Sequence, residues 1–171
     1  ILLKSSNLLK EKKILLNKTD FLNKTHKFIE KEELNGFKLK IYNQLNKDKR
    51  FIFNYYLMGK YFLDLICGNE LAMQKKINLS IQLPDDSYSI LPIHSDVWSG
   101  NSPFEVVLWI PLVSVKKTKS MFILSPKNNR YYYKNLKKFN SSEKIYLHSK
   151  KKLKWLSLKY GQGLIFSQNL R

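Results

Sequence analysis

Apolar residues recur with two different periods along this chain, and the change falls near Met73. Before it the spacing is helical. Leu8, Leu9, Leu15 and Leu16 stand among lysines at helical intervals. Thr19 or Asp20 is placed to cap a second helix carrying Phe21, Leu22, Phe28 and Ile29, which the pattern ends near Asn35-Gly36. Phe51 to Ile66 is apolar and aromatic on more than one face, as in a helix buried against something large, and Gly68 and Asn69 close it. After Met73, Ile77, Leu79, Ile81 and Leu83 alternate with Asn78, Ser80 and Gln82, a period of two that puts the polar members on one face of a strand. Pro84-Asp85-Asp86-Ser87 then reads as a turn. Further strands are predicted over 90–97, 104–113 and 120–124, with a loop at Ser99–Pro103 and a tyrosine-rich loop with a short helix over 127–140. Residues 145–147, 153–158 and 164–166 supply the last strands. Helices first and short strands afterwards predict an α+β chain, a sheet sandwich or barrel preceded by helices, with 1–70 helical and 71–171 in sheet.

At 171 residues the chain has room for one domain with a sizeable core. Its hydrophobic fraction of 43% excludes a disordered tail for most of its length. It opens Ile1-Leu2-Leu3 without a methionine and stops at Arg171 inside an apolar run, so it reads as a piece of a longer protein. No apolar run reaches the roughly 18 residues that span a bilayer, so no membrane partner is expected and the cytoplasm is the default compartment. One cysteine, Cys67, excludes an internal disulfide framework, and its apolar neighbours predict a buried, inert thiol.

The formal charge of +18 invites a nucleic-acid reading. Its make-up argues against one. Only three of the 31 basic residues are arginine, and Asn, Ile, Phe and Tyr abound while Ala72 is the one alanine, as A/T-rich codon usage would produce. The lysines are therefore expected to scatter over several faces without an aromatic-lined stripe, and a nucleic-acid partner is not favoured.

One local pattern has a direct chemical reading. In His94-Ser95-Asp96 the outer two residues, two apart on a strand, project to the same face, so an imidazole and a carboxylate can converge on an ion. With a second histidine they would make the facial triad that leaves positions open on iron(II). Alone, such a pair is more often an ordinary satisfied one. His148 is a possible third ligand, but it precedes the lysine run 150–152 and reads as a surface residue, and His26, among the N-terminal helices, reads as structural.

The surroundings extend the pattern. Ile90-Leu91-Pro92-Ile93-His94-Ser95-Asp96-Val97-Trp98-Ser99-Gly100, then Glu105-Val106-Val107-Leu108-Trp109-Ile110-Pro111-Leu112, then Ser120-Met121-Phe122-Ile123-Leu124-Ser125-Pro126 resembles the phytanoyl-CoA dioxygenase superfamily over about residues 73–171. The resemblance implies a double-stranded β-helix and an iron(II)- and 2-oxoglutarate-dependent oxygenase acting on a small molecule. It makes His94 and Asp96 metal ligands and puts Asn78 and Gln82 where side chains touch the cosubstrate. Trp98, if its strand continues, and Trp109 would line the substrate pocket. Gly161-Gln162-Gly163-Leu164-Ile165-Phe166 matches the strand that leads to the family's distal histidine, with Gln162 where aspartate is usual. That histidine would follow Arg171, and the arginine for 2-oxoglutarate would lie further on. Ser125-Pro126-Lys127 departs from the family's Pro-Gly-Ser turn. The competing expectation is a catalytically silent cupin-like module that binds an anionic sugar or nucleic acid.

Overall fold

The computed structural model describes residues 18–86 and 91–167, and the helix read around Leu8–Leu16 lies outside them. The chain divides into two compact units, Ile1–Ile90 and Leu91–Arg171.

In the first unit, α1 (Lys18–Asn23) runs into a 3-10 turn at Thr25–Lys27. The helix expected to end at Asn35-Gly36 does not. Those two residues lie inside α2 (Leu34–Lys47), which is not among the elements read from the sequence. Leu34, Ile41 and Leu45 form one buried stripe of α2, and they gather with Phe21 and Ile29 into the unit's core. That burial outweighs the roughly 1 kcal/mol that Gly36 costs in a helix interior. Asp48 ends α2 and starts α3 (Lys49–Cys67), its carboxylate accepting from the N–H groups of Arg50 at 2.9 Å and Phe51 at 3.3 Å. Gly68, at φ +85°, closes α3.

Two expectations about α3 are corrected. Its apolar side chains are not buried in the described structure: Phe53, Met58, Tyr61, Phe62, Leu65 and Ile66 are all exposed, and Gly59 is the helix's one buried residue. Cys67 is likewise exposed rather than buried.

Residues 77–83 form no strand ladder, which corrects the strand expected there. Their exposure still alternates, with Ile77 buried, Leu79, Ile81 and Leu83 half-buried, and Asn78, Ser80 and Gln82 exposed. A side chain stands in for the missing partner strand. Asn46 accepts from Ile77 N–H at 2.6 Å and donates to Ile77 C=O at 3.0 Å, so one amide satisfies both backbone groups of a buried residue.

The second unit holds the sheets. β1 (Val106–Trp109) pairs antiparallel with β4 (Leu164–Ser167), Val106 opposite Ser167 and Trp109 opposite Leu164. β2 (Phe122–Ile123) pairs antiparallel with β3 (Lys154–Trp155), and a bridge joins Val115 to Leu158 between the two pairs. These pairings nest, so 106–123 runs out and 154–167 runs back as one irregular antiparallel ribbon. A 3-10 turn at Lys117–Lys119 interrupts the outgoing limb. On the returning limb, the turn before β4 places Gly161 at φ +88°, and Gln162 accepts from Lys159 N–H at 2.8 Å. A Cβ on Gly163 would stand 3.3 Å from Trp109 O and Ile110 Cγ1, so a side chain there would need its neighbours to give by a few tenths of an ångström.

Helices close the far end of the ribbon. Residues 127–140, expected as loop with a short helix, lie in α4 (Pro126–Lys134) and α5 (Leu136–Phe139). The strand expected at 145–147 is instead the middle of α6 (Ser142–Ser149), followed by a 3-10 turn at Lys150–Lys152. Ser125 and Ser141 start α4 and α6 by accepting from Asn128 N–H and Lys144 N–H. Tyr132, Phe139 and Ile145 from this cap, with Ile93, form the unit's core, and Trp98, Phe122 and Leu124 pack against it. The fold is therefore mixed α+β. Among the described residues, the strands make two two-stranded antiparallel sheets and no barrel closes.

Candidate functional site

The strand expected over 90–97 is absent from its described residues. Residues 91–95 pair with no strand, and Asp96–Ser99 form a 3-10 turn. Yet the local geometry that the i, i+2 spacing requires survives, because Ser95 is extended at φ −135°, ψ 134°. With one extended residue between them, His94 and Asp96 project to the same side, and His94 Nε2 stands 3.7 Å from Asp96 Oδ1.

The turn fixes the carboxylate's backbone. Trp98 N–H donates to Ser95 C=O at 2.9 Å, Asn101 N–H donates to Asp96 C=O at 3.1 Å, and Gly100 supplies the left-handed residue at φ +96° that lets the chain close. The imidazole is fixed from its other side. His94 Nδ1 lies 2.7 Å from Pro92 C=O, and a carbonyl can only accept, so Nδ1 carries the proton of that bond. Nε2 is then the nitrogen left to face the carboxylate. In a neutral ring Nε2 holds a lone pair, and a lone pair and a carboxylate oxygen repel unless a proton or a cation lies between them. The 3.7 Å gap exceeds the range of a good N–H···O bond.

The pair can be tested against a divalent transition ion. Two ligand atoms about 2.1 Å from an ion and subtending about 90° stand about 3.0 Å apart. The observed gap is wider by about 0.7 Å, within reach of small side-chain rotations by groups that are 47% and 37% exposed. The donor types suit iron(II), and the Pro92 carbonyl supplies the backing that ligating histidines use. A third protein donor is not present: among the described residues, no group of three or more His, Cys, Asp or Glu side chains is placed to hold a metal.

The other expected site residues fall in different places. Trp98 sits in the 3-10 turn rather than on a continuing strand, so the periodicity that aimed it at a pocket does not apply, and it packs against the core. Trp109 is half-buried at the end of β1. Asn78 and Gln82 are exposed on the extended segment of the first unit. His148 is exposed, as expected, but engaged: its Nδ1 is 2.8 Å from the hydroxyl of buried Tyr132, and its ring packs on Phe139 and Tyr131. Burial raises the Tyr132 phenol above its ordinary pKa, with a smaller push from Tyr131. His26 is exposed in the turn at Thr25–Lys27. The Pro92 carbonyl is the feature that residue types did not reveal, since a backbone acceptor leaves no mark in composition.

No family model matches the chain, and no curated protein or solved structure is similar enough to it to count as a match. No helix among the described residues is long and apolar enough to cross a membrane.

Proposed function

We propose that His94 and Asp96 are two protein ligands of a non-haem iron(II) site, and that the chain is part of a 2-oxoglutarate-dependent oxygenase acting on a small molecule. The observation that carries this reading is the His94 ring itself. Its Nδ1–H is tied to Pro92 C=O, and its other nitrogen is aimed at a carboxylate across a gap that a divalent cation can bridge after a small side-chain rotation. A bound iron(II) would supply the open positions where oxygen and a 2-oxo acid meet. The chain's own part is to hold one imidazole in a single tautomer and one carboxylate on a closed turn, so that both are oriented before an ion arrives.

The sheet reading that goes with it is a double-stranded β-helix. The nested pairing of β1 with β4 and β2 with β3 supports it, because such a fold is an antiparallel ribbon wound on itself. Antiparallel to β1, β4 runs back toward the end of β1 that the His94 segment enters, where a third donor is needed.

The test has two arms. Cobalt(II) titrated into the chain should give a d–d spectrum that weakens at least tenfold in apparent affinity in His94→Ala and in Asp96→Ala. A form extended beyond Arg171 should release succinate from 2-oxoglutarate in an iron-dependent way that His94→Ala abolishes. Unchanged cobalt binding in both variants, or succinate release indifferent to His94, overturns the reading.

A further inference from the structure

The positive charge of this chain is not spread evenly. Residues 18–86 carry twelve lysines and arginines against nine acids, whereas residues 126–155 carry ten against one, Glu143. Codon bias toward A and T explains many lysines. It does not explain why aspartate and glutamate persist in one stretch and nearly vanish from another. All ten cations of 126–155 are exposed. The ion pairs Asp48–Arg50, Lys60–Asp64 and His94–Asp96 all lie outside this stretch.

The stretch is the helical cap together with β3, and the cap's packing sorts the side chains. Tyr132 is 0% exposed and anchors α4 to the core. On a helix of about 100° per residue, Lys127, Arg130 and Lys134 fall on the opposite side, at spacings of three and four that align them in one stripe. Tyr131 flanks that stripe on one edge and Tyr133 on the other. Tyr131 is engaged, stacked on His148, and Lys152 Nζ stands 5.7 Å from its ring centre and 6.0 Å from that of Tyr132, on the side away from the stripe. Tyr133 is 43% exposed and takes part in none of the cap's ring contacts. A row of cations beside an open aromatic ring is the arrangement that holds a sugar–phosphate backbone while a base stacks.

We propose that this face of the cap binds single-stranded nucleic acid, with phosphates along Lys127, Arg130 and Lys134 and a base on Tyr133. The expectation of lysines scattered without regard to a ligand does not fit the acid-poor cap. Arginine-poor composition disfavours bidentate reading of duplex base edges but not this sequence-tolerant mode.

The experiment uses the whole chain and a fluorescein-labelled, mixed-sequence 20-nucleotide single strand, followed by anisotropy over a salt series. Three phosphate contacts on a single strand give a slope of log K on log salt near −2, from about −0.7 per contact. The triple charge reversal Lys127→Glu, Arg130→Glu, Lys134→Glu should weaken binding at least tenfold. Reversing Lys27, Lys40 and Lys75, three exposed lysines of the first unit, makes the same change in net charge and should leave affinity within about threefold. Tyr133→Ala should cost about fivefold or more, the lower end of a lost stacked base. It also serves as the readout if the charge variants fail to fold. Equal losses in both triples would mean net charge alone, and no effect of Tyr133→Ala would remove the stacked base. Vesicles rich in phosphatidylserine that displace the oligonucleotide at matched charge would make the cap a membrane-facing surface. Any of these results overturns the proposal.

Discussion

Replacing Asn46 by alanine should release the extended segment that carries Asn78 and Gln82. The amide of Asn46 is the partner of both backbone groups of Ile77, accepting at 2.6 Å and donating at 3.0 Å, and Ile77 is only 7% exposed. Leaving a buried N–H without its acceptor costs about 1–3 kcal/mol, and the lost bond to the carbonyl adds about 1 kcal/mol. Alanine in place of asparagine inside α2 returns roughly 0.5 kcal/mol of helix propensity. The net loss is about 2 kcal/mol. Hydrogen exchange of the Ile77 amide under native conditions reads it directly, as acceleration of about thirtyfold for that amide and its neighbours in 71–86. Amides of α2 around Ile41 should change far less, because the core stripe of Leu34, Ile41 and Leu45 does not depend on Asn46. Asn46→Asp keeps the acceptor but turns a carboxylate oxygen toward the Ile77 and Tyr42 carbonyls, so it should also stay well short of the native chain. If Asn46→Ala leaves Ile77 as protected as before, or if aspartate protects it as fully as asparagine does, the clamp is not what holds the segment.

Two further outcomes follow from the second unit. Tyr132 is buried with its phenol pKa raised, so the fold favours the neutral form; that stability is present below the unfolded phenol's value near 10 and is lost as pH rises through the higher folded value. Circular dichroism between pH 9 and 11.5 should show a loss of helix that Tyr132→Phe lessens, with that variant about 1 kcal/mol less stable at pH 7 because His148 loses its hydroxyl partner, and an alkaline profile unchanged by Tyr132→Phe would refute the assignment. Gly163→Ala should destabilise by about 1 kcal/mol in denaturant unfolding, since its Cβ would press on the Trp109 carbonyl, which is backbone and moves less readily than a side chain; a stabilised variant would mean that the strands yield and the close approach is not limiting.

What the apolar pattern made legible was which side of a segment faces inward, and what it left out was what that side meets. At 77–83 the alternation is present in the exposures, but the hydrogen-bond partner is a side chain on α2, thirty-one residues away in the chain, so period two did not become a ladder. At 145–147 three apolar residues fit either a buried strand or a helix turn, and only length and flanks separate the two. The flanks held the answer. Ser141 caps α6, and Ser125 followed by Pro126 is a helix start with proline at the first position. The polar, tyrosine-rich composition of 127–140 concealed it. In α3 the apolar run over several faces predicts burial against something large, yet composition does not say what covers those faces, and in the described structure Phe53, Met58, Phe62 and Leu65 are exposed.

The candidate site divides along the same line. His94 and Asp96 were legible because their convergence needs only one extended residue between them, a condition that Ser95 meets whether or not a strand forms. The strand was the wrong premise for a geometry that nonetheless held. Trp98 shows the limit: one more step of the same period-two argument crosses into the 3-10 turn and points it at the core instead. A facial triad needs a third donor brought from far along the chain, and that depends on ribbon register, which no spacing within one segment encodes. In the described ribbon the carboxylate closest in sequence to β1 is Glu105, and it accepts from the Asn101 side-chain amide at 3.1 Å, steadying the loop that follows Asp96. It is a brace for the turn. The proposed site would take its third donor from a strand antiparallel to β1, and β4, with Ser167 opposite Val106, has that direction.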